Sequence, residues 1–199
     1  MSSKSIGSQR ATEPGRAVRM SGEERREQIL HAARRVFAEG GFAATTDEVA
    51  RAAEISQPYV VRLFGSKRDL FLEVYRQAVD QVVTTLVAAA REPDPGTAMG
   101  RAYFELIEDR DLLRLVMQGF IASTDDEVGA AARHCLGEAY RLYVEATGAT
   151  AEEGRQFVAF GMLMNVLVAV DADAHRGEDP GFDALVECVG LTARREGRA

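Results

Sequence analysis

The chain has 199 residues and is short of several things: it holds no Trp, two Cys, three His and five Pro. Cys135 and Cys188 lie far apart in helical surroundings. They make neither a disulfide framework nor the paired spacing of a zinc site. A reducing, cytoplasmic compartment is the expectation. The histidines are scattered. His134 and Cys135 are neighbours on a helix, so they point about 100° apart, which is wrong for a nucleophile and its base. Asp171, Asp173 and His175 share a loop, but acidic loop residues are ordinarily hydrated, and no metal is assigned to them. There is no Gly-rich phosphate loop and no nucleophile elbow. No catalytic residue, cofactor or metal is therefore expected. The longest apolar run, residues 157–170, is too short to span a bilayer and is broken by Asn165. The opening MSSKSIGSQR has no apolar core of the kind a secretory signal carries.

Charge is plentiful but unevenly placed. The net charge of −7 argues against a nucleic-acid partner. Its distribution argues for one. Residues 1–70 carry 12 Lys and Arg against 9 Asp and Glu, a net of +3, and residues 71–199 carry 12 against 22, a net of −10. A basic head on an acidic body fits a nucleic-acid reader joined to something that does not touch nucleic acid.

The head contains the most specific local pattern, over residues 45–70. Thr45 and Glu48 form a capping box that opens a helix at Thr46. Val49, Ala50 and Ala53 give that helix one apolar face. Ser56 stands at the N-cap of a second helix, with Pro58 in its first turn, where a missing N–H does no harm. Gly65 ends this helix. Ser66 and Asp69 open a third. Two short helices joined by a tight turn make a helix-turn-helix, whose second member can enter the DNA major groove. Gln57, Tyr59 and Arg62 make that member too polar for a core.

Elsewhere the periodicity is helical throughout. Residues 1–20, rich in Ser, Gly and Arg, read as a disordered basic arm. A first helix opens near Ser21 through a second capping box, Ser21 with Glu24, and carries the stripe Ile29, Ala33, Val36 and Phe37. The helix opening at Lys67 repeats apolar residues every fourth position, Leu70, Val74, Ala78, Val82 and Leu86. It runs to about Ala90, long enough to link head and body. Pro93 and Pro95 stop it. Helices are then expected over residues 97–108, 110–122, 125–147, 152–170 and 182–193, with no strand. Residues 157–170 are apolar on nearly every face and must be covered all round. The simplest second cover is the same surface of another copy, joined by the face of the last helix.

The combination of Ile29, Leu30, Ala32, Ala33, Phe37, Gly41, Phe42, Thr45, Thr46, Val49, Ala50, Ile55, Ser56, Gln57, Pro58, Phe64, Ser66, Lys67, Leu70 and Phe71 resembles the DNA-binding domain of the TetR (tetracycline-repressor-like) family. The match covers about the first third of the chain. Three departures stand out: a link between Gly41 and Ala50 one residue shorter than usual, Glu54 where the turn commonly has Gly, and Val61 where the family often has a phosphate-contacting Tyr. If position 54 requires positive φ, a non-Gly residue there costs about 1–2 kcal/mol.

The resemblance implies an all-α regulator with a disordered basic arm (1–20), a three-helix helix-turn-helix domain (21–66) and a helical dimerisation and effector-binding domain (67–199) joined through the long helix. Its partners would be double-stranded DNA carrying a palindromic operator, a second copy of itself and an unknown small-molecule effector. Gln57, Pro58, Tyr59 and Arg62 are expected in the major groove, with Thr45, Ser56 and Lys67 on phosphates. TetR-like proteins dimerise through their last two long helices, which places Phe160, Met164, Leu167, Phe182, Leu185, Val186 and Val189 at the interface. TetR-like bodies commonly hold an inducer, and Phe104, Met117, Phe120, His134, Tyr140, Phe160, Met164 and Asn165 are the expected lining. The expected function is a repressor released by a small molecule. An all-α enzyme or metal-binding protein, and a DNA-binding dimer without an effector, are the alternatives.

Overall fold

The structure, a computed structural model, describes residues 21–188. The basic arm, Val189 and the expected continuation of the last helix lie outside them. The described residues form helices and no strand.

Helix α1 (Gly22–Gly40) opens with the expected reciprocal box: Ser21 Oγ accepts from the Glu24 N–H at 3.1 Å, and the Glu24 carboxylate accepts from the Ser21 N–H at 2.6 Å. A 3-10 turn over Gly41–Ala43 leads to α2 (Thr46–Ala52), capped in the same way by Thr45 and Glu48. Helix α3 (Gln57–Phe64) has Ser56 at its N-cap position, but the Ser56 side chain makes no capping hydrogen bond. Helix α4 (Lys67–Ala89) opens on Ser66, whose Oγ accepts from the Asp69 N–H. Asp69 returns a contact only to the Ser66 hydroxyl at 2.7 Å, not to its backbone, so the box is half made. Aspartate is one methylene shorter than the Glu that closes the other boxes.

The stretch between α2 and α3 explains how a non-Gly residue is held there. The Ile55 N–H returns to the Ala50 carbonyl at 2.9 Å and the Glu54 N–H to the Arg51 carbonyl at 3.2 Å. This is a Schellman-type helix end, and it puts Glu54 in the left-handed region at φ 54°. The position that the resemblance marked as a glycine site does require positive φ.

Beyond α4 come α5 (Pro95–Ile107), α6 (Arg110–Ile121), α7 (Asp126–Thr147), α8 (Ala151–Ala169) and α9 (Pro180–Cys188). Helix α5 begins earlier than the periodicity predicts. Pro95 sits in its first turn and Asp94 accepts from the Thr97 N–H, so the segment that stops one helix also starts the next.

One apolar core runs from α1 through α4 into α7. At its head end Phe71 is fully buried, meeting Phe37 and Phe42 edge-on, each at 5.1 Å between centroids. Such pairs are each worth about 0.5–1.5 kcal/mol beyond their area, and here they fasten α1 and the 3-10 turn to the start of α4. Leu70, Val74, Ala78, Val82 and Leu86 are all buried, so α4 is covered along its length by both ends of the molecule.

Candidate DNA-reading surface and apolar cavity

Helix α3 presents a small polar surface. Ser56, Pro58 and Arg62 are exposed, and Gln57 is half-buried with its amide donating to Thr46 Oγ1 at 3.2 Å. Arg62 lays its guanidinium over the Tyr59 ring, 4.8 Å from the centroid. Tyr59 packs its other side against the core. Tyr59 thus stands between the core and Arg62. Val61 is half-buried as well. Thr45 is exposed at the start of α2. Lys67 is held in place: its Nζ donates to the Phe42 carbonyl at 2.5 Å and lies 4.6 Å above the Phe42 ring.

This surface is tied to the rest of the molecule by arginines that find the acidic caps of other helices. Asp109 caps α6 and bonds Arg34 of α1 at 2.5 Å. Asp125 caps α7 and takes Arg68 of α4 through both carboxylate oxygens, at 2.5 and 3.0 Å. Glu127 bridges Arg68 and Arg76 at 3.1 and 2.8 Å. The Arg68 bond, foremost, holds the Asp125 carboxyl below the usual range. The caps thus serve two purposes, closing helix ends and docking α1 and α4.

An apolar cavity of about 220 Å³ lies among α4, α5, α6, α7 and α8. Val82, Phe104, Val116, Phe120, Phe157 and Met164 supply much of its wall. Phe104, Phe120, Phe160, Met164 and Asn165 line it as the sequence suggested. Met117, His134 and Tyr140 do not. Met117 sits one residue round α6 from Val116 and packs with Ile107, Leu113 and Met164. His134 is exposed. Tyr140 packs over Gly154, where α7 meets α8.

The sequence reading missed Tyr103, whose hydroxyl donates to Asn165 Oδ1 at 2.7 Å and joins α5 to α8. It also missed Cys135, which lies on the wall. Burial pushes the Cys135 thiol up to about 11 and the Tyr103 phenol up to about 12, so both are neutral near pH 7. Among the described residues no cluster of His, Cys, Asp and Glu could hold a metal ion, and no helix is long and apolar enough to cross a membrane.

Helices α8 and α9 carry the expected apolar faces, with a different division of labour. Phe160 is 47% exposed, and Val166 and Val170 are 46% and 50% exposed. Leu185 is exposed too. Leu167 and Val186 are instead buried against each other and Ala172, with Phe182 and Leu163 beside them, which fastens α9 onto α8. Met164 is buried in the cavity wall. Of the residues expected at an interface, then, Phe160 and Leu185 are open, Phe182 is half-buried, and Met164, Leu167 and Val186 face inward.

Residues 29–74 match the sequence model of the bacterial regulatory proteins of the tetR family. The HTH-type transcriptional activator FasR of Mycolicibacterium smegmatis is 32% identical over 171 residues, covering 81% of this chain and 75% of that protein. The fold is shared with a TetR-like transcriptional regulator from Rhodococcus sp. RHA1, at a TM-score of 0.64 and 20% identity over 88% of this chain and all of that one. It is also shared with the fatty acid degradation regulator FadR from Bacillus halodurans, at 0.61 and 20% identity over 86% of this chain and 94% of that one. Helix-turn-helix, all-helical body and relatives agree, and the chain belongs to the tetR family of bacterial regulatory proteins as a DNA-binding transcriptional regulator.

Proposed function

We propose that this regulator is a cytoplasmic homodimeric repressor that leaves a palindromic operator when a small apolar molecule enters the cavity. Residues 21–66 act as the DNA-binding domain and residues 67–199 as the dimerisation and effector domain. Gln57, Pro58, Tyr59 and Arg62 read base edges while Thr45, Ser56 and Lys67 set the register on phosphates, because base contacts specify and phosphate contacts position. Phe160, Val166, Val170 and Leu185 meet their counterparts in a second copy across a two-fold axis.

The observation that carries the effector reading is the order of residues on α6. Val116 and Phe120 line the cavity. Gln118 lies between them in sequence and packs at Gly41, where a Cβ would stand 2.4 Å from its Oε1. Gly119 receives the ring of Tyr75 from α4. A molecule that pushes on Phe120 therefore pushes on the helix that also holds α1 and α4. Two heads grip DNA together only when their spacing matches one helical turn, about 34–36 Å, so a small tilt of α4 is enough to spoil the fit. Fluorescence anisotropy of a palindromic operator, with and without an apolar ligand, tests this reading. Release on ligand addition supports it, and an unaltered binding curve at ligand saturation refutes it.

A second reading, activation, is favoured by the FasR relative, whose name is that of an activator. It uses the same DNA surface and cavity but predicts that transcription falls, not rises, when the protein is deleted.

A further inference from the structure

The cavity wall contains no Lys, Arg, His, Asp or Glu. Its polar groups are the Tyr103 hydroxyl, the Asn165 amide and the neutral Cys135 thiol. Asn165 is 1% exposed, the one buried residue of polar or charged type among those described. It belongs to a helix apolar on nearly every side, where an aliphatic residue would pack without penalty. Its carbonyl takes the Tyr103 O–H at 2.7 Å, and its amide nitrogen has only the thioether of Met162 at 3.9 Å. Sulfur is a weak acceptor. An amide NH2 and a phenol O–H together bring three polar hydrogens, and their mutual bond uses one. Whichever way the amide is turned, at least one donor is left without an oxygen or nitrogen acceptor. A buried unspent donor is costly, and it is ordinarily met by a partner.

We infer that the cavity takes an uncharged hydrocarbon-like molecule bearing one oxygen acceptor, such as a ketone, ester or alcohol, whose oxygen completes the Tyr103–Asn165 pair. The inference rests on the reading of the cavity as the effector site and narrows it to a chemical class. Size limits the ligand as well. An apolar cavity of about 150 Å³ takes benzene, so 220 Å³ has room for about nine or ten non-hydrogen atoms. A carboxylate or ammonium inside this wall would be stripped of water with no counter-charge, which is far more costly than burying a neutral carbonyl against a waiting donor. An acid could enter only with its charged end left at the exposed edge of the wall beside Gly100.

The test uses the full-length protein and displacement of naphthalene, a ten-carbon fluorescent dye that fits this size, by nonane, octanone, octanoate and octylamine. These probes share a chain of similar length and differ in the end group. Asn165→Leu alone would strand the Tyr103 hydroxyl and could disturb folding, so the decisive variant is the double substitution Tyr103→Phe with Asn165→Leu. Replacing both partners of a buried hydrogen bond by apolar groups of similar shape is close to neutral for stability.

The ratio of octanone to nonane affinity should fall about tenfold from wild type to the double variant, equivalent to about 1.4 kcal/mol. At neutral pH octanoate and octylamine should bind wild type more weakly than octanone. An unchanged octanone-to-nonane ratio, or octanoate binding as tightly as octanone, overturns the inference. In those cases the effector reading survives if bound compounds still release operator DNA. Failure of every probe to displace the bound dye would overturn the inference, while the effector reading would stand or fall on whether the bound dye itself releases operator DNA.

Discussion

The ring of Tyr75 lies on Gly119: a Cβ at position 119 would stand 2.0 Å from Tyr75 Cε2 and Cζ. Tyr75 is fully buried and stacks on Phe71, 6.1 Å away, so it has nowhere to retreat. Gly119→Ala must push α6 and α4 apart. Overpacking of this kind costs about 1–3 kcal/mol. The variant should melt earlier and, if the proposed coupling runs through α6 and α4, should show altered operator affinity without ligand. Tyr75→Phe is the complementary change. The Tyr75 hydroxyl is buried with no hydrogen-bond partner, and burial raises its pKa. Removing it should be neutral or stabilising by about 1 kcal/mol. Thermal unfolding of both variants checks the pair.

The docking of α4 on α7 should weaken in acid. Asp125 has its pKa depressed, first by the Arg68 hydrogen bond and then by the α7 backbone N–H groups. A depressed carboxyl stabilises the fold above its unfolded value, about 3.9, and that contribution is lost as pH falls through the lower folded value. The capping carboxylates Glu24, Glu48 and Glu153 are depressed for the same kind of reason, the backbone N–H of their boxes. The contribution of these carboxylates should therefore be flat above about pH 5 and fall below pH 4. Asp125→Asn keeps a cap but not the charge. It should lower stability at neutral pH and soften the acid limb, as measured by denaturant unfolding across pH.

On the DNA surface, Gln57→Ala should change which half-site sequence is preferred and cost about 1–3 kcal/mol at one base pair. Lys67→Ala should weaken binding to all sequences and reduce the salt slope by about one unit. Because Lys67 also holds the Phe42 carbonyl, its loss should lower head stability as well. Operator panels titrated at several salt concentrations separate the two effects. Equal weakening on every operator by Gln57→Ala would remove Gln57 from the base-reading set.

Dimerisation is best probed at Val166, which is exposed, and not at Leu167, which is 1% exposed and holds α9 to α8. Val166→Glu should give a folded monomer by sedimentation, with helicity retained. Leu167→Glu should damage the subunit itself through a buried unpaired charge. A Val166→Glu protein that remains a dimer would place the interface elsewhere.

These cases show which parts of the molecule could be read from the chain. Caps and breaks are local, so Ser21, Thr45 and Pro58 located α1, α2 and α3, and the i+4 repeat from Leu70 to Leu86 identified the long linking helix. The demand for positive φ at residue 54 was legible only through the resemblance. The cavity was legible by residue type and not by direction. Met117 was as plausible as Val116, because which residue of α6 turns toward a void depends on how α5 and α8 lean against it. From residue 157 onward α8 is apolar on nearly every face, so its sequence could not separate Val166, facing out, from Leu167, facing α9. Tyr103 escaped notice because its importance comes from Asn165, 62 residues away.

In the proposed mechanism one molecule cannot favour the cavity and the operator at once. By linkage, a ligand that weakens DNA binding must itself bind the DNA-free dimer more tightly by the same factor, and couplings of about 1–3 kcal/mol are typical. The most direct measurement is calorimetric titration of octanone into free dimer and into dimer saturated with operator DNA. Affinity for the DNA-bound form should be weaker by about 5- to 150-fold. Equal affinities would contradict this mechanism and leave the body with dimerisation as its only task.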